Sequence, residues 1–161
     1  SKENPEFFQE LIEKFIGKLT GLGSLSLMYM GTCTDDDIEA IFKTDIFGFS
    51  KLCVIASWRN QLITEKEIQK FADSFESTKN GIFITLSEFE SNIKTDATEH
   101  YIINDKKILL LNGTAFLEKL ISYDIGVRTI QTYEIKEIDY NFFEHSLNDK
   151  KRTTHNRYTD E

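Results

Sequence analysis

A nearly uninterrupted apolar run, KLCVIASWRN from Lys51 to Asn60, is the feature that most constrains the fold of this chain. Between its charged ends, apolar or small side chains occupy nearly every position, so both sets of alternating residues are suited to burial. A strand with this pattern is buried on both faces and lies in the interior of a sheet. The run therefore predicts a central strand.

The composition agrees with one globular core and restricts the class of protein. A chain of 161 residues, 40% of them hydrophobic, can bury about 70% of its extended surface. Cys33 and Cys53 form no CxxC pair, and no histidine pair lies near them, so we expect neither a disulfide framework nor a zinc site but a reduced, cytoplasmic protein. No apolar run reaches the roughly 18 residues of a membrane span, and no signal-like segment opens the chain, so we expect no membrane partner.

The net charge of −8 disfavours a surface that is basic throughout, so any contact with nucleic acid requires a local patch. The clearest cluster along the sequence is Lys150, Lys151 and Arg152, with Arg157 nearby. It has two interpretations: a solvated tail, which we favour, and a phosphate-binding patch.

Periodicity and capping signals predict the other elements of the chain. Thr64 with Glu67 three residues later is typical of a capping box at a helix start. The predicted helices begin at Pro5, at Thr64, where the helix runs to about Thr78, and at Thr114, with a weaker one over Ser87–His100. The predicted strands are Ser24–Met30, which a turn at Gly31–Thr34 follows, and Ile38–Phe42, Gly81–Leu86 and Lys107–Leu111, in addition to the central one. This order indicates an α/β sandwich with a mixed central sheet.

The pattern becomes weaker after Val127, where TIQTYEIKEIDYNFF is either an edge strand or a partly ordered extension. We therefore expect one domain over residues 1–127 and a partly flexible C-terminal extension over residues 128–161.

Several of these segments resemble the catalytic domain of Mrr-type restriction endonucleases, a branch of the PD-(D/E)xK nuclease superfamily. The resemblance implies a restriction-endonuclease-like sandwich, with a mixed central sheet flanked by helices. It is carried, in the order of the family's motifs, by Glu67–Phe71, GIFITLSEF (Gly81–Phe89), ILLLNG (Ile108–Gly113) and Leu117–Val127.

The resemblance also implies where a nuclease site would lie. Family members bind a divalent cation, Mg²⁺ or Mn²⁺, through acidic residues, while a lysine helps to orient and deprotonate the attacking water. The family's D-G-G-hydrophobic-D segment falls on Asp35–Glu39, its Q-x-K on Ile55–Ser57, and its first-helix Phe-Glu pair on Phe8–Gln9. Asp35, Asp37 and Glu39 are therefore the candidate metal ligands, since hard cations prefer carboxylate oxygens. A solvated acidic turn is the alternative.

The chain departs from the family pattern at each catalytic position. Gln9 carries no charge, Ile55 cannot bind a metal, and Ser57 replaces the lysine. Arg59 lies two residues beyond Ser57, hence on the same face of the strand. It can supply positive charge but cannot act as a base at neutral pH; the alternative is a surface arginine at a strand end. Glu39, Ser57 and Arg59 are the candidate catalytic residues.

Two further lysines and two function hypotheses follow from these departures. Lys66 and Lys70 are either relocated catalytic lysines or part of an exposed helix face. The first hypothesis is an Mrr-like domain associated with DNA binding or cleavage, with weak or lost nuclease activity; if active, it is a Mg²⁺- or Mn²⁺-dependent DNA endonuclease. The second is a non-catalytic pseudo-nuclease that binds a protein partner or forms a homodimer, which the net acidity and the missing lysine favour.

Overall fold

The computed structural model describes residues 5–128, 132, 134–141 and 144, and the chain divides into two compact units, residues 1–128 and 129–161. All elements named below belong to the first unit. Its helices are α1 (Pro5–Thr20), α2 (Glu65–Asp73) and α3 (Gly113–Ser122), and a 3₁₀ turn spans Gly23–Ser26. Its strands are β1 (Leu27–Thr32), β2 (Asp37–Lys43), β3 (Lys51–Ser57), β4 (Asn80–Thr85), β5 (His100–Ile103) and β6 (Lys106–Leu111).

The strands form one mixed sheet in the order β1-β2-β3-β4-β6-β5. β1, β2 and β3 are successive antiparallel neighbours, whereas β3, β4 and β6 are parallel and β5 pairs antiparallel with β6. The predicted central strand, β3, lies between β2 and β4, as its apolar run indicates. The predicted α/β sandwich with a mixed central sheet is confirmed.

Each face of the sheet carries its own hydrophobic cluster. On one face, Leu52, Val54 and Ala56 of β3 pack with buried side chains of α1 and α3, among them Phe15 and Phe116. On the other face, Cys53 belongs to a cluster that α2 covers and that includes Ile63, Ile68, Phe71, Phe83 and Ile108. β3 therefore contributes to both clusters through alternate residues.

The predicted capping box at the start of α2 is present. The Thr64 side chain accepts from the Glu67 amide, and the Glu67 carboxylate accepts from the Thr64 amide at 2.8 Å. The helix ends at Asp73, earlier than the predicted end near Thr78. Lys106 Nζ donates to the carbonyl oxygens of Ala72 and Phe75, which satisfies acceptors that would otherwise need further helix.

The predicted helix over Ser87–His100 is wrong. Residues 87–99 form turns and bends, and β5, which we did not predict, begins at His100. Asp96 Oδ1 accepts from the amides of Thr98 and His100, and these local bonds favour a turn over a helix. The β5–β6 turn has positive φ at Asn104 (48°) and Asp105 (63°), as a two-residue hairpin requires.

The first strand also differs from its predicted bounds. β1 begins at Leu27 rather than Ser24 and continues through Gly31, which we expected in a turn. Ser26 is buried and its hydroxyl donates to the Gly23 carbonyl at 2.7 Å, which holds the 3₁₀ turn before the strand. The pairing of β1 with β2 shifts register between Leu27 and Tyr29.

The C-terminal predictions fall largely outside the described residues. Only part of the TIQTYEIKEIDYNFF segment is described, and residues 134–139 have no regular secondary structure. Across the described part of the chain, no helix combines the length and apolar character needed to cross a bilayer.

Candidate functional site

The candidate residues of β2 and β3 meet at one end of the sheet. Asp37, the first residue of β2, pairs with Ser57, the last residue of β3, and Glu39 pairs with Ile55. Thr85, at the end of β4, is the parallel neighbour of Ser57. Because side chains alternate along a strand, these residues lie on the same face as Cys53, the face that α2 covers.

Arg59 connects this end of the sheet to α2. Its Nε donates to Ser57 Oγ at 3.0 Å and lies 3.5 Å from Asp37 Oδ1. Its Nη2 donates to Glu67 Oε1 at 2.6 Å. We call these four residues, Asp37, Ser57, Arg59 and Glu67, the Arg59 network. The network joins β2, β3 and the first turn of α2 through one guanidinium group.

The Asp37 carboxylate is buried and only half hydrogen-bonded. Its Oδ2 accepts from Thr34 Oγ1 at 2.8 Å, whereas Oδ1 has no hydrogen-bond partner among the described residues. The nearest cation to Oδ1 is Arg59, whose Nε lies at ion-pair distance but without hydrogen-bond geometry. The Arg59 charge therefore compensates Asp37 electrostatically rather than through a directional bond.

The network favours the charged forms of Arg59 and Glu67. Burial by itself lowers the pKa of Arg59, but the hydrogen bond to Glu67 and the charge of Asp37 outweigh it, so the pKa is raised overall. Burial likewise opposes ionisation of Glu67, yet the Thr64 amide and the Arg59 guanidinium lower its pKa overall. Arg59 therefore cannot accept a proton from water near neutral pH.

The other acidic candidates do not converge with Asp37. Asp35 is exposed in the turn between β1 and β2, and Glu39 is half-buried in β2 beside Gly31 and Ile55. Within the described residues, no three side chains of the histidine, cysteine, aspartate or glutamate type are placed to hold a metal ion. With the guanidinium already against Asp37, the residues present do not fit a bound divalent cation in this arrangement.

The remaining candidates lie around the network rather than in it. Lys66 and Lys70 are exposed on α2. Trp58 points to the opposite face, where it stacks on Phe8 with ring centroids 5.0 Å apart. The basic cluster at Lys150–Arg152 and Arg157 lies outside the described residues.

A groove of about 790 Å³ lies in another part of the first unit. It is lined by residues of α1 and of the loop after α3, among them Gly17, Lys18 and Asp124. None of its lining residues belongs to the Arg59 network or to the acidic candidates, so it plays no part in this site.

The sequence did not reveal Glu67 as a member of the site. The capping-box signature predicts that Glu67 lies in the first turn of α2, and it was the one sequence signal for this residue. It does not predict that the same carboxylate also reaches Arg59 across the loop before α2. Thr85, fully buried beside Ser57, was also missed. Its signal was its position near the carboxyl end of the predicted strand Gly81–Leu86, the strand that follows the central one along the chain.

Comparison with known proteins identifies the family. The model of the Mrr_cat family, described as a restriction endonuclease, matches residues 1–120. No curated protein and no solved structure gives a significant match. The matched residues include the whole sheet and extend into α3, and the fold is the mixed-sheet sandwich that the resemblance implies. The chain therefore belongs to the Mrr-type restriction endonuclease catalytic-domain family.

Proposed function

We propose that this chain is a DNA-associated member of the family in which DNA cleavage is weak or lost. The observation that carries the proposal is the Arg59 network. Ser57 stands where the family motif has lysine, and a guanidinium paired to two carboxylates lies against it. The serine removes the group that helps to activate water in phosphodiester hydrolysis, and the Arg59 guanidinium lies beside it as a cation that is not a base at neutral pH.

Hydrolysis of a phosphodiester requires an activated water and neutralisation of the developing phosphate charge. The Ser57 hydroxyl accepts a hydrogen bond from Arg59 and is not a base at neutral pH. Ile55 adds no ligand or proton acceptor. Arg59 has five N–H donors, of which the network uses only some, so it can still donate to a phosphate. This arrangement favours phosphate contact without water activation.

The proposal includes the absence of the divalent metal ion that the family uses for cleavage. Asp35, Asp37 and Glu39 are the carboxylates that would hold Mg²⁺ or Mn²⁺, and their separation and the pairing of Asp37 argue against it. We therefore infer that this chain contacts DNA without a resident divalent cation.

A cleavage assay tests the proposal. Purified chain is incubated with methylated and with unmethylated supercoiled plasmid, in the presence of Mg²⁺ or Mn²⁺. We expect no nicking above the level of the Glu39→Ala variant, because the lysine is absent and the carboxylates do not converge. Glu118→Ala, which removes an exposed carboxylate on α3, is the matched control. Cutting by the unmodified chain and by the control, abolished in Glu39→Ala, would contradict the proposal.

The alternative function, a pseudo-nuclease that binds a protein or forms a homodimer, is favoured by a separate observation. Leu117 and Ile121 are exposed one turn apart on α3 and form an apolar stripe. A stable homodimer or protein complex that forms without nucleic acid, and that Leu117→Asp disrupts, would support this alternative. Light scattering after size-exclusion chromatography measures it.

A further inference from the structure

The β2–β3 hairpin turn is held by its own hydrogen bonds. The Asp45 carboxylate accepts from the amides of Phe47 (3.0 Å), Phe49 (3.2 Å) and Ser50 (2.7 Å). The Gly48 amide donates to the Asp45 carbonyl, and Gly48 has the positive φ of 73° that glycine tolerates. The conformation of this turn therefore depends on Asp45 and the backbone and not on burial of its aromatic residues.

The turn presents two phenylalanine rings to solvent. Phe47 is 81% exposed and Phe49 is 89% exposed, and their ring centroids lie 6.1 Å apart. Burying a phenylalanine side chain stabilises a fold, and the first unit gains almost none of this stabilisation at either residue. A fixed turn that exposes two adjacent aromatic rings is typical of a binding surface.

Lysines follow the same end of the sheet across three neighbouring strands. Lys43 ends β2 directly opposite Lys51, which begins β3. Lys79 immediately precedes β4, beside Thr78, whose hydroxyl donates to the Lys51 carbonyl. Lys107 in β6 pairs with Asn80, so by strand alternation it lies on the opposite face of the sheet and does not belong to this row. At the usual strand spacing the three lysines span about 10 Å.

The charge of this row is uncompensated within the described residues. None of Lys43, Lys51 and Lys79 forms an ion pair with a described carboxylate, although Asp73 ends α2 and Glu76 lies between α2 and β4. Lys43 and Lys51 are like charges in a directly opposed cross-strand pair, which destabilises a sheet. In a chain of net charge −8, such a row indicates an anionic ligand.

We propose that Phe47, Phe49 and this lysine row form a binding surface for single-stranded nucleic acid, at the opposite end of β2 and β3 from the Arg59 network. Lysines contact the phosphates, and the phenylalanine rings stack on bases. A single strand is favoured because its base faces are free, whereas a duplex covers them. A purely apolar protein partner would match the rings but not the lysine row. The surface is independent of the Arg59 network and of whether the chain cuts DNA.

Fluorescence anisotropy with labelled oligothymidylate and oligouridylate of roughly 15 nucleotides tests this surface. We expect the full chain to bind both at about 50 mM salt, and more weakly at about 200 mM. The Phe47→Ala/Phe49→Ala variant should bind about 10-fold or more weakly, through lost stacking. Phe7→Ala removes another exposed phenylalanine and should bind as the unmodified chain does.

The charge contribution has its own matched pair of variants. Lys51→Glu/Lys79→Glu should weaken binding and reduce the slope of log affinity against log salt by about 1.4, which corresponds to two phosphate contacts on a single strand. Lys94→Glu/Lys119→Glu makes the same change in net charge at exposed sites elsewhere and should retain the slope. Circular dichroism establishes that each variant is folded.

Several outcomes would overturn the proposal. The first is that neither oligonucleotide binds at low salt. The second is that the folded phenylalanine variant binds with unchanged affinity. The third is that a duplex binds more tightly than a single strand and the phenylalanine variant binds that duplex as well as the unmodified chain does. Self-association without nucleic acid that requires Phe47 and Phe49 would instead assign the turn to a protein contact. Preference for the thymidylate or the uridylate strand would support the surface and identify the natural ligand as DNA or RNA. Cutting or failure to cut plasmid DNA tests only the proposal about the Arg59 network, and neither result affects the proposal about this surface.

Discussion

Arg59 contacts polar side chains of β2, β3 and α2. The solvent exposure of each pair decides how much it contributes to the stability of the fold. The side chains of Asp37, Arg59 and Glu67 are 11%, 24% and 30% exposed. Solvent therefore screens the Glu67 pair more than the Asp37 pair. Removing Arg59 leaves the buried Asp37 carboxylate without the one cation that pairs with it among the described residues, and this is the more costly loss.

We expect Arg59→Ala to lower the free energy of unfolding by about 2 kcal/mol, less than the 3–5 kcal/mol of a fully buried pair because of this partial exposure. Urea denaturation at neutral pH, followed by Trp58 fluorescence, measures it. Arg128→Ala, at an exposed position of the same unit, should change stability by less than about 0.5 kcal/mol. Asp37→Asn should reduce the effect of Arg59→Ala, and strict additivity would show that the two residues do not interact.

Part of this residue-scale arrangement could be predicted from the sequence. Strand alternation places Arg59 on the face of Ser57, and the structure shows the contact. Strand alternation does not predict the path of the irregular segment between Arg59 and Thr64. That path brings Glu67 to the Arg59 guanidinium. Whether Asp35, Asp37 and Glu39 converge likewise depends on the turn before β2, which Thr34 and Asp37 shape through a side-chain bond.

At the scale of elements, the start of α2 joins a structural cap to the candidate site. Glu67 closes the capping box with Thr64 through one carboxylate oxygen and pairs with Arg59 through the other. The negative charge also lies at the amino end of the helix, where the helix dipole favours it. The ionised Glu67 carboxylate therefore helps to hold the start of α2 against the sheet, in addition to the packing of Ile68 and Phe71.

This dependence predicts a change of stability with acid. The pKa of Glu67 is lowered from its ordinary value near 4.5, so the folded state prefers the ionised form. Its contribution is complete above about pH 4.5 and is lost as the pH falls through the lowered folded-state pKa. The stability difference between the unmodified chain and Glu67→Gln should therefore shrink over this range. Glu118→Gln, at an exposed position of α3, is the matched control.

The prediction of a helix over Ser87–His100 was wrong for a local reason. Phe89, Ile93 and Ala97 have helical spacing, and Phe89 and Ile93 do pack on the α2-side cluster. These two residues reach the cluster from an irregular segment rather than from a helix. The Asp96 side chain accepts hydrogen bonds from the backbone amides of Thr98 and His100, and these bonds compete with a helix. Long, strongly periodic elements such as α1 and β3 have no comparable competitor, and they were predicted correctly.

At the scale of the first unit, one sheet supports two hydrophobic clusters. Phe83 lies in the cluster under α2 and Phe116 in the cluster with α1 and α3, and each is 1% exposed. β3 and β4 contribute side chains to both. Loss of packing on one face therefore weakens the sheet that the other face needs.

We expect Phe83→Ala and Phe116→Ala each to reduce the free energy of unfolding of this unit by about 3–5 kcal/mol. Each variant should unfold in a single transition, because the two clusters share the sheet. Trp58 is the only tryptophan in the chain, so its fluorescence reports on this unit, and circular dichroism supplies a second probe. Two separated transitions in either variant would show that the clusters unfold independently.

The register shift in β1 bears on how the protein behaves at high concentration. β1 is an edge strand, and its outer edge has backbone donors and acceptors that no other strand of the sheet uses. Met28 and Tyr29, both exposed, would make a flat edge of this kind prone to pairing with another molecule. The irregularity between Leu27 and Tyr29 interrupts the even spacing of those groups and increases the local twist. We therefore expect this edge to pair with another molecule less readily than its exposed side chains alone would predict.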